Sequence, residues 1–217
     1  TYDLERAIDE HELFLEYQPQ YDLQSRMITS VEALVRWEHK THGIIPPIRF
    51  ISLAEETGLI IPLGMEVLRT ACREIKRWQD EHQRPLRVAV NLSLAQLYED
   101  HFIDEVITVL QETGLEPQYL QLEITESFMS EATQIVPILN ELKKIGIALA
   151  IDDFGTGYSS LSYLTDLPID CVKVDRSFVN KIGISHKGEA IVTTILTLAE
   201  NLHLSVVAEG VETAEQL

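Results

Sequence analysis

Ile147-Ala148-Leu149-Ala150-Ile151-Asp152-Asp153-Phe154-Gly155-Thr156-Gly157-Tyr158-Ser159-Ser160-Leu161 joins a strand-like apolar run to two adjacent carboxylates and then to a glycine-bearing loop. Side chains alternate faces along a strand, so neighbouring aspartates at its end push one charge toward the core, which is costly unless a cation or proton compensates it. The pair marks a metal site at the end of a buried strand.

Outward from this stretch, short β-branched runs alternate with longer amphipathic segments, which predicts repeated βα units and a mainly parallel sheet. Strands are expected over Phe14–Gln20, Ile28–Trp37, Leu86–Asn91, Tyr119–Ile124, Ile147–Asp152, Cys171–Asp175 and Ser205–Glu209. Helices are expected over Pro62–His82, Phe102–Thr113, Ala132–Ile145 and Glu189–Leu202, with a further start at Glu212. Ile191, Ile195, Leu198 and Leu202 keep helical spacing and form one stripe. Tyr17–Trp37 reads as two strands joined by Leu23-Gln24-Ser25-Arg26, too short for a crossover helix, so this pair is antiparallel. With no linker, repeat or low-complexity tract, residues 1–217 read as a single domain. A closed (β/α)8 barrel usually takes about 250 residues and eight strands. This chain has 217 residues and about seven expected strands, so its final strand and helix are expected to be missing and the domain to be C-terminally incomplete.

The apolar fraction of 45% is ordinary for a globular protein, whereas the net charge of -18, from 35 acidic and 17 basic residues, disfavours DNA and anionic membranes as partners. Most of the carboxylates, such as Glu66, Glu74, Asp80 and Glu81, read as solvated helix faces. Cys72 and Cys171 have neither C-x-x-C spacing nor paired histidines and read as reduced thiols in a cytoplasmic setting. No apolar run approaches the roughly 20 residues of a membrane span, so membrane contact is expected only through segments outside this chain.

Polar residues recur where the strands end. Glu32 lies in the second strand, Asn91 ends the third, Glu123 is near the end of the fourth, Asp152 and Asp153 close the fifth, and Glu209 ends the last. Lys173, between Val172 and Val174, is expected to point inward. In a barrel of parallel strands these C-terminal ends open on one face. Carboxylates with one asparagine carbonyl suit Mg2+ or Mn2+ and suit zinc or copper poorly. Taken singly, each position has a plainer reading: Asn91 in a turn with Ser93 capping the next helix, Glu123 and Glu126 as rim acids, Glu209 before a turn glycine. One metal centre accounts for them together. Gly155-Thr156-Gly157 is not a dinucleotide fingerprint, because Ser160 stands where the third glycine belongs. Its glycines suit a loop that moves over a site.

Glu32-Ala33-Leu34, running into Val35-Arg36-Trp37-Glu38-His39, resembles the signature of the EAL domains, bacterial phosphodiesterases that hydrolyse cyclic di-GMP. Asn91-Leu92-Ser93, Glu123-Ile124-Thr125-Glu126, the run from Asp152 to Leu161, Lys173-Val174-Asp175 and Glu209-Gly210-Val211-Glu212-Thr213 match further motifs in family order. The resemblance implies an α/β, TIM-like (β/α) barrel with an antiparallel first strand. It implies metal-dependent hydrolysis of cyclic di-GMP to linear pGpG by water activated between two ions, Mg2+ or Mn2+. Glu32, Asn91, Glu123 and Asp152 match the positions that hold one metal, and Asp153 the position that joins a second. Lys173 matches a lysine that contacts the attacking water, Glu209 an acid near the second metal, and Glu126 the anchor of the glycine-bearing loop. Gln18 and Arg36 match substrate contacts, and a planar guanidinium suits a phosphate oxygen. The resemblance further implies a homodimer formed through helices near that loop, sensory or cyclase domains outside this chain, and a final strand with a Gln-Gly pair beyond Leu217. A receptor that binds cyclic di-GMP without cleaving it is the other reading, and the intact set of matched ligands weighs against it. A metal phosphodiesterase for another nucleotide is a third.

Overall fold

β1 (Leu13–Asp22) and β2 (Met27–His39) pair antiparallel, with Gln18 opposite Glu32 and Phe14 opposite Arg36. Asp22 closes the connecting turn by accepting the Ser25 N–H at 2.6 Å, and Arg26 takes a φ of 58° there. Directly opposed residues project to the same side, so Glu16, Gln18, Glu32, Leu34 and Arg36 share one face of this hairpin. The computed structural model describes residues 2–10, 12–157 and 164–217, and Tyr158-Ser159-Ser160-Leu161 of the opening motif lies outside them. Contacts divide the chain into two units, Thr1–Leu122 and Glu123–Leu217.

In the first unit β2 also pairs with β3 (Gly43–Ile45), antiparallel, and with β4 (Arg87–Asn91), parallel, placing Glu32 opposite Ala89. α1 (Tyr2–Asp9), which the sequence reading did not include, buries Leu4 and Ala7 in a cluster with Trp37, Phe50, Ala54, Ile60 and Leu63. After α2 (Ile51–Thr57), α3 (Ile60–His82) begins two residues before the expected Pro62, because a proline in the first turn removes no intrahelical hydrogen bond. Its stripe of Leu63, Leu68, Ala71, Cys72 and Ile75 is buried, and it packs against β4, α4 (Leu94–Leu97) and α5 (Phe102–Thr113).

The division falls within β5 (Leu120–Thr125), which leads through a short 3-10 segment into α6 (Ala132–Ile145). α6 buries Ile135, Leu139 and Leu142 and stops at Gly146, whose φ of 103° and N–H to the Leu142 and Lys143 carbonyls form a glycine C-cap. β6 (Ala148–Phe154), β7 (Cys171–Val174) and β8 (Ser205–Ala208) follow as a parallel set. β7 ends at Val174 and not at the expected Asp175, whose carboxylate caps α7 (Arg176–Val179) by accepting the Ser177 N–H. α8 (His186–Asn201) starts three residues before the expected Glu189, because Ser185 caps it by accepting the Gly188 N–H. The helix start expected at Glu212 is a 3-10 turn over Ala214–Gln216, capped by Thr213.

The fold is α/β and TIM-like with an antiparallel first strand, the class expected from the sequence. Among the described residues, no helix is long and apolar enough to cross a membrane.

Candidate metal centre

The two aspartates do not follow the alternation expected of a regular strand. Ile151 of β6 stands opposite Val172, but the next pair is Phe154 with Val174, so Asp152 and Asp153 together face Lys173. This two-against-one bulge is closed by Asp153 in the left-handed region, at φ 55°, a conformation that aspartate tolerates better than most residues. The Asp153 N–H donates to Asp152 Oδ1 at 2.9 Å. In place of one buried and one solvated charge, the bulge gives a half-buried Asp152 beside an exposed Asp153, and oxygens of both lie within 4.8 Å of each other and of a Glu209 oxygen.

Glu209 follows β8 and is held in line by its N–H to the Val174 carbonyl at 3.1 Å. Gly210 next to it has a φ of 67°, and a Cβ there would lie 2.7 Å from Arg176 Cβ, so the close approach requires glycine.

Lys173 is 1% exposed and ties this group together. Its Nζ lies 2.6 Å from Glu123 Oε2, 3.1 Å from Asp152 Oδ1 and 3.0 Å from Glu209 Oε1. Val172 and Val174 are buried as well, so β7 is covered on both faces, as in parallel sheets generally. The three carboxylates against Lys173, those of Glu123, Asp152 and Glu209, outnumber its single ammonium. Oxygen donors with excess negative charge at this spacing fit a hard divalent cation.

Glu126, 4% exposed, opens the 3-10 segment after β5. Its Oε2 accepts the Gly155 N–H at 2.7 Å and the Gly157 N–H at 3.0 Å, so one buried carboxylate holds two points of the loop that follows the bulge. A Cβ on Gly157 would sit 2.9 Å from Glu126 Oε1.

The remaining candidates belong to the first unit. Asn91 ends β4 and donates through Nδ2 to Glu32 Oε1 at 2.9 Å, which leaves its carbonyl oxygen as the available donor atom. Ser93 caps α4 within a capping box completed by Gln96. Gln18 is exposed opposite Glu32. Arg36 lies further along the same face, with Nε 2.7 Å from Glu16 Oε2 and Nη1 donating to the Val35 carbonyl at 3.0 Å. Glu16 was absent from the sequence reading; period-two spacing from Gln18 was the signal for it.

The EAL domain family profile matches residues 2–217. The cyclic di-GMP phosphodiesterase NbdA of Pseudomonas aeruginosa is 45% identical over 216 residues, 99% of this chain and 28% of that protein. The cyclic di-GMP phosphodiesterase PdeR of Escherichia coli is 40% identical over 215 residues, 99% of this chain and 32% of that protein. The chain therefore spans about a third or less of these relatives. The solved structure of the PaMucR phosphodiesterase in complex with c-di-GMP has a TM-score of 0.94 and 44% identity, covering 99% of this chain and 87% of that one.

Proposed function

Because the chain belongs to the EAL domain family, we propose that it hydrolyses cyclic di-GMP to linear pGpG with divalent cations as cofactors. The observation that carries this reading is the meeting of Asp152, Asp153 and Glu209 oxygens within 4.8 Å, above a buried lysine that touches Asp152 and Glu209. The likeness to NbdA and PdeR, both cyclic di-GMP phosphodiesterases, and to the PaMucR complex with c-di-GMP supports the substrate.

From the family pattern we assign Glu32, Asn91, Glu123 and Asp152 to one Mg2+ or Mn2+, and Asp153, with Glu209 close by, to a second. When bound, such cations lower the pKa of water toward neutrality and offset negative charge on the phosphate and the leaving oxygen. The chain's own groups do the rest. Lys173, whose three N–H groups face Glu123, Asp152 and Glu209, keeps the Asp152 and Glu209 oxygens in place beside the attacking water, and Asp153 accepts from that water at the exposed side of the bulge. The water oxygen bonds to phosphorus, one ring P–O bond breaks, and the ribose oxygen released takes a proton. Gln18 and Arg36 contact the dinucleotide, with the outer guanidinium edge of Arg36 directed to a phosphate oxygen. Glu126 keeps the glycine-bearing loop in place.

We extend the reading to the surroundings of the chain. Residues 1–217 form one EAL-type domain of a longer protein, at work in the cytoplasm beside sensory or cyclase modules, and the domain pairs with a second copy through helices near Gly155–Gly157. Gel filtration combined with activity over a range of protein concentrations tests the pairing; a monomer of full specific activity refutes it.

The central test incubates the purified chain with cyclic di-GMP, with and without Mg2+ or Mn2+, and separates the products by chromatography. Metal-dependent pGpG is the expected result. Binding without cleavage in either metal refutes hydrolysis in favour of a receptor, and a panel of other cyclic nucleotides checks the substrate class.

A further inference from the structure

Asn91 reaches Glu32 from a turn that is braced from behind. Gln96, in α4, is 4% exposed; its Oε1 accepts the Ser93 N–H at 3.1 Å and the Ser93 hydroxyl at 3.0 Å, while the Gln96 N–H donates to Ser93 Oγ at 3.3 Å. These three bonds fix the backbone directly after Leu92, itself 6% exposed.

The carboxamide of Gln96 rests in a notch of α3. A Cβ built on Gly64 would lie 2.2 Å from Gln96 Nε2, 2.4 Å from its Cδ and 2.6 Å from its Oε1. Glycine inside a helix costs about 1 kcal/mol relative to alanine, and α3 is 23 residues of otherwise continuous helix in which Gly64 has no positive φ. What the position needs is the missing methyl. A side chain there would drive the Gln96 carboxamide off Ser93, and with it the turn that carries Asn91.

We infer that Gly64 and Gln96 are positioning residues that set the Asn91 carbonyl oxygen for a divalent cation. The inference rests on the assignment of Asn91 as a metal ligand. Mg2+ accepts little departure from octahedral geometry, and partners behind a ligand commonly change metal affinity by about 10- to 100-fold when removed. Neither residue is itself a metal donor in this assignment.

The test measures Mn2+ binding directly, by electron paramagnetic resonance of free Mn2+ and by calorimetry, on the wild-type chain and on Gly64→Ala, Gln96→Ala and Asn91→Ala, alongside thermal unfolding of each. Gly64→Ala and Gln96→Ala should weaken Mn2+ binding about tenfold or more while remaining folded, and adding Asn91→Ala to either should weaken it little further, because both act through the same ligand. Gln96→Ala introduces no clash, so it keeps the test decisive if Gly64→Ala does not fold. Wild-type Mn2+ affinity in folded Gln96→Ala, with Asn91→Ala weakened, overturns the inference alone. Equal affinity in the wild type and Asn91→Ala overturns the ligand assignment beneath it as well.

Discussion

Replacing Lys173 by methionine keeps a buried stem of similar length and removes the ammonium that sits 2.6 Å from Glu123. The Lys173 side chain is 1% exposed and that of Glu123 0%, so neither charge has bulk water as an alternative partner. Breaking such a pair by deleting one member costs about 3–5 kcal/mol, because the other charge stays buried. Against a total stability of ~5–15 kcal/mol this is a large share, and at 2–4 °C per kcal/mol it lowers Tm by roughly 6–20 °C for a chain of this size. Urea unfolding followed by circular dichroism, in buffer stripped of divalent ions, reads the loss. Lys173→Met with Glu123→Gln should recover most of it, since the stranded carboxylate is gone, while turnover of cyclic di-GMP stays at least ~100-fold down in both variants. A Lys173→Met protein within about 1 kcal/mol of wild type refutes the reasoning, for it would mean that Glu123 does not depend on the ammonium for its charge.

Glu126→Gln should speed amide hydrogen exchange at Gly155 and Gly157 by about tenfold or more, the equivalent of ~1.4 kcal/mol, read by NMR; unchanged exchange would remove Glu126 as the anchor of the loop. In the first unit, hydrogen bonds from Lys40 and from the Trp37 indole hold the Glu12 carboxyl below its ordinary value of 4.5. A depressed carboxylate pKa stabilises the fold above the unfolded value and loses that contribution as pH falls through the folded one, so the stability gap between wild type and Glu12→Gln should be open at pH 7 and close below about pH 4.5 in urea titrations. Burial pushes the Cys72 thiol up to about 12, so a disulfide reagent at pH 8 should leave it unmodified until the protein unfolds; rapid labelling of native protein at Cys72 would contradict its burial.

The parts of this fold that were legible in the sequence are those in which local pattern and tertiary packing agree. The hairpin of β1 and β2 follows from a turn too short for a crossover, and β7 from valines on both sides of Lys173. α1 and β3 escaped because little local signal marks them: α1 is held by two buried residues, Leu4 and Ala7, and β3 is three residues long. Helix starts at Ile60 and His186 differ from expectation because a first-turn proline and a serine cap extend helices beyond their apolar stripes. At the candidate site, acidic residue types at strand ends were visible in the sequence, and the backbone geometry around them was not. Alternation along β6 sends Asp152 and Asp153 to opposite faces, and only the φ of Asp153 brings their oxygens near Glu209. The Gly64 notch was hidden for a similar reason, since it depends on a side chain 32 positions further along the chain.

Among the described residues, Arg26, Gln83, Asp153 and His203 are the non-glycine residues with positive φ. Arg26 lies in a hairpin turn, Gln83 is the C-cap of α3, and His203 follows the end of α8; left-handed residues are common in such places. Asp153 differs, because it lies inside a strand. A left-handed conformation for a residue with a side chain costs about 1–3 kcal/mol and persists where its surroundings impose it. Here the Asp153 carbonyl accepts the Thr156 hydroxyl at 2.8 Å and the Thr156 N–H at 3.2 Å, while Glu126 holds Gly155 and Gly157 just beyond. The bulge and the loop are therefore one piece of backbone with two supports. Loss of the Glu126 support frees Asp153 to relax toward regular strand geometry, which would turn its carboxylate away from Asp152 and Glu209. Glu126 thus acts on the meeting of the three carboxylates through the backbone, since it is not one of them, and in Glu126→Gln the amide exchange of Asp153 should rise together with that of Gly155.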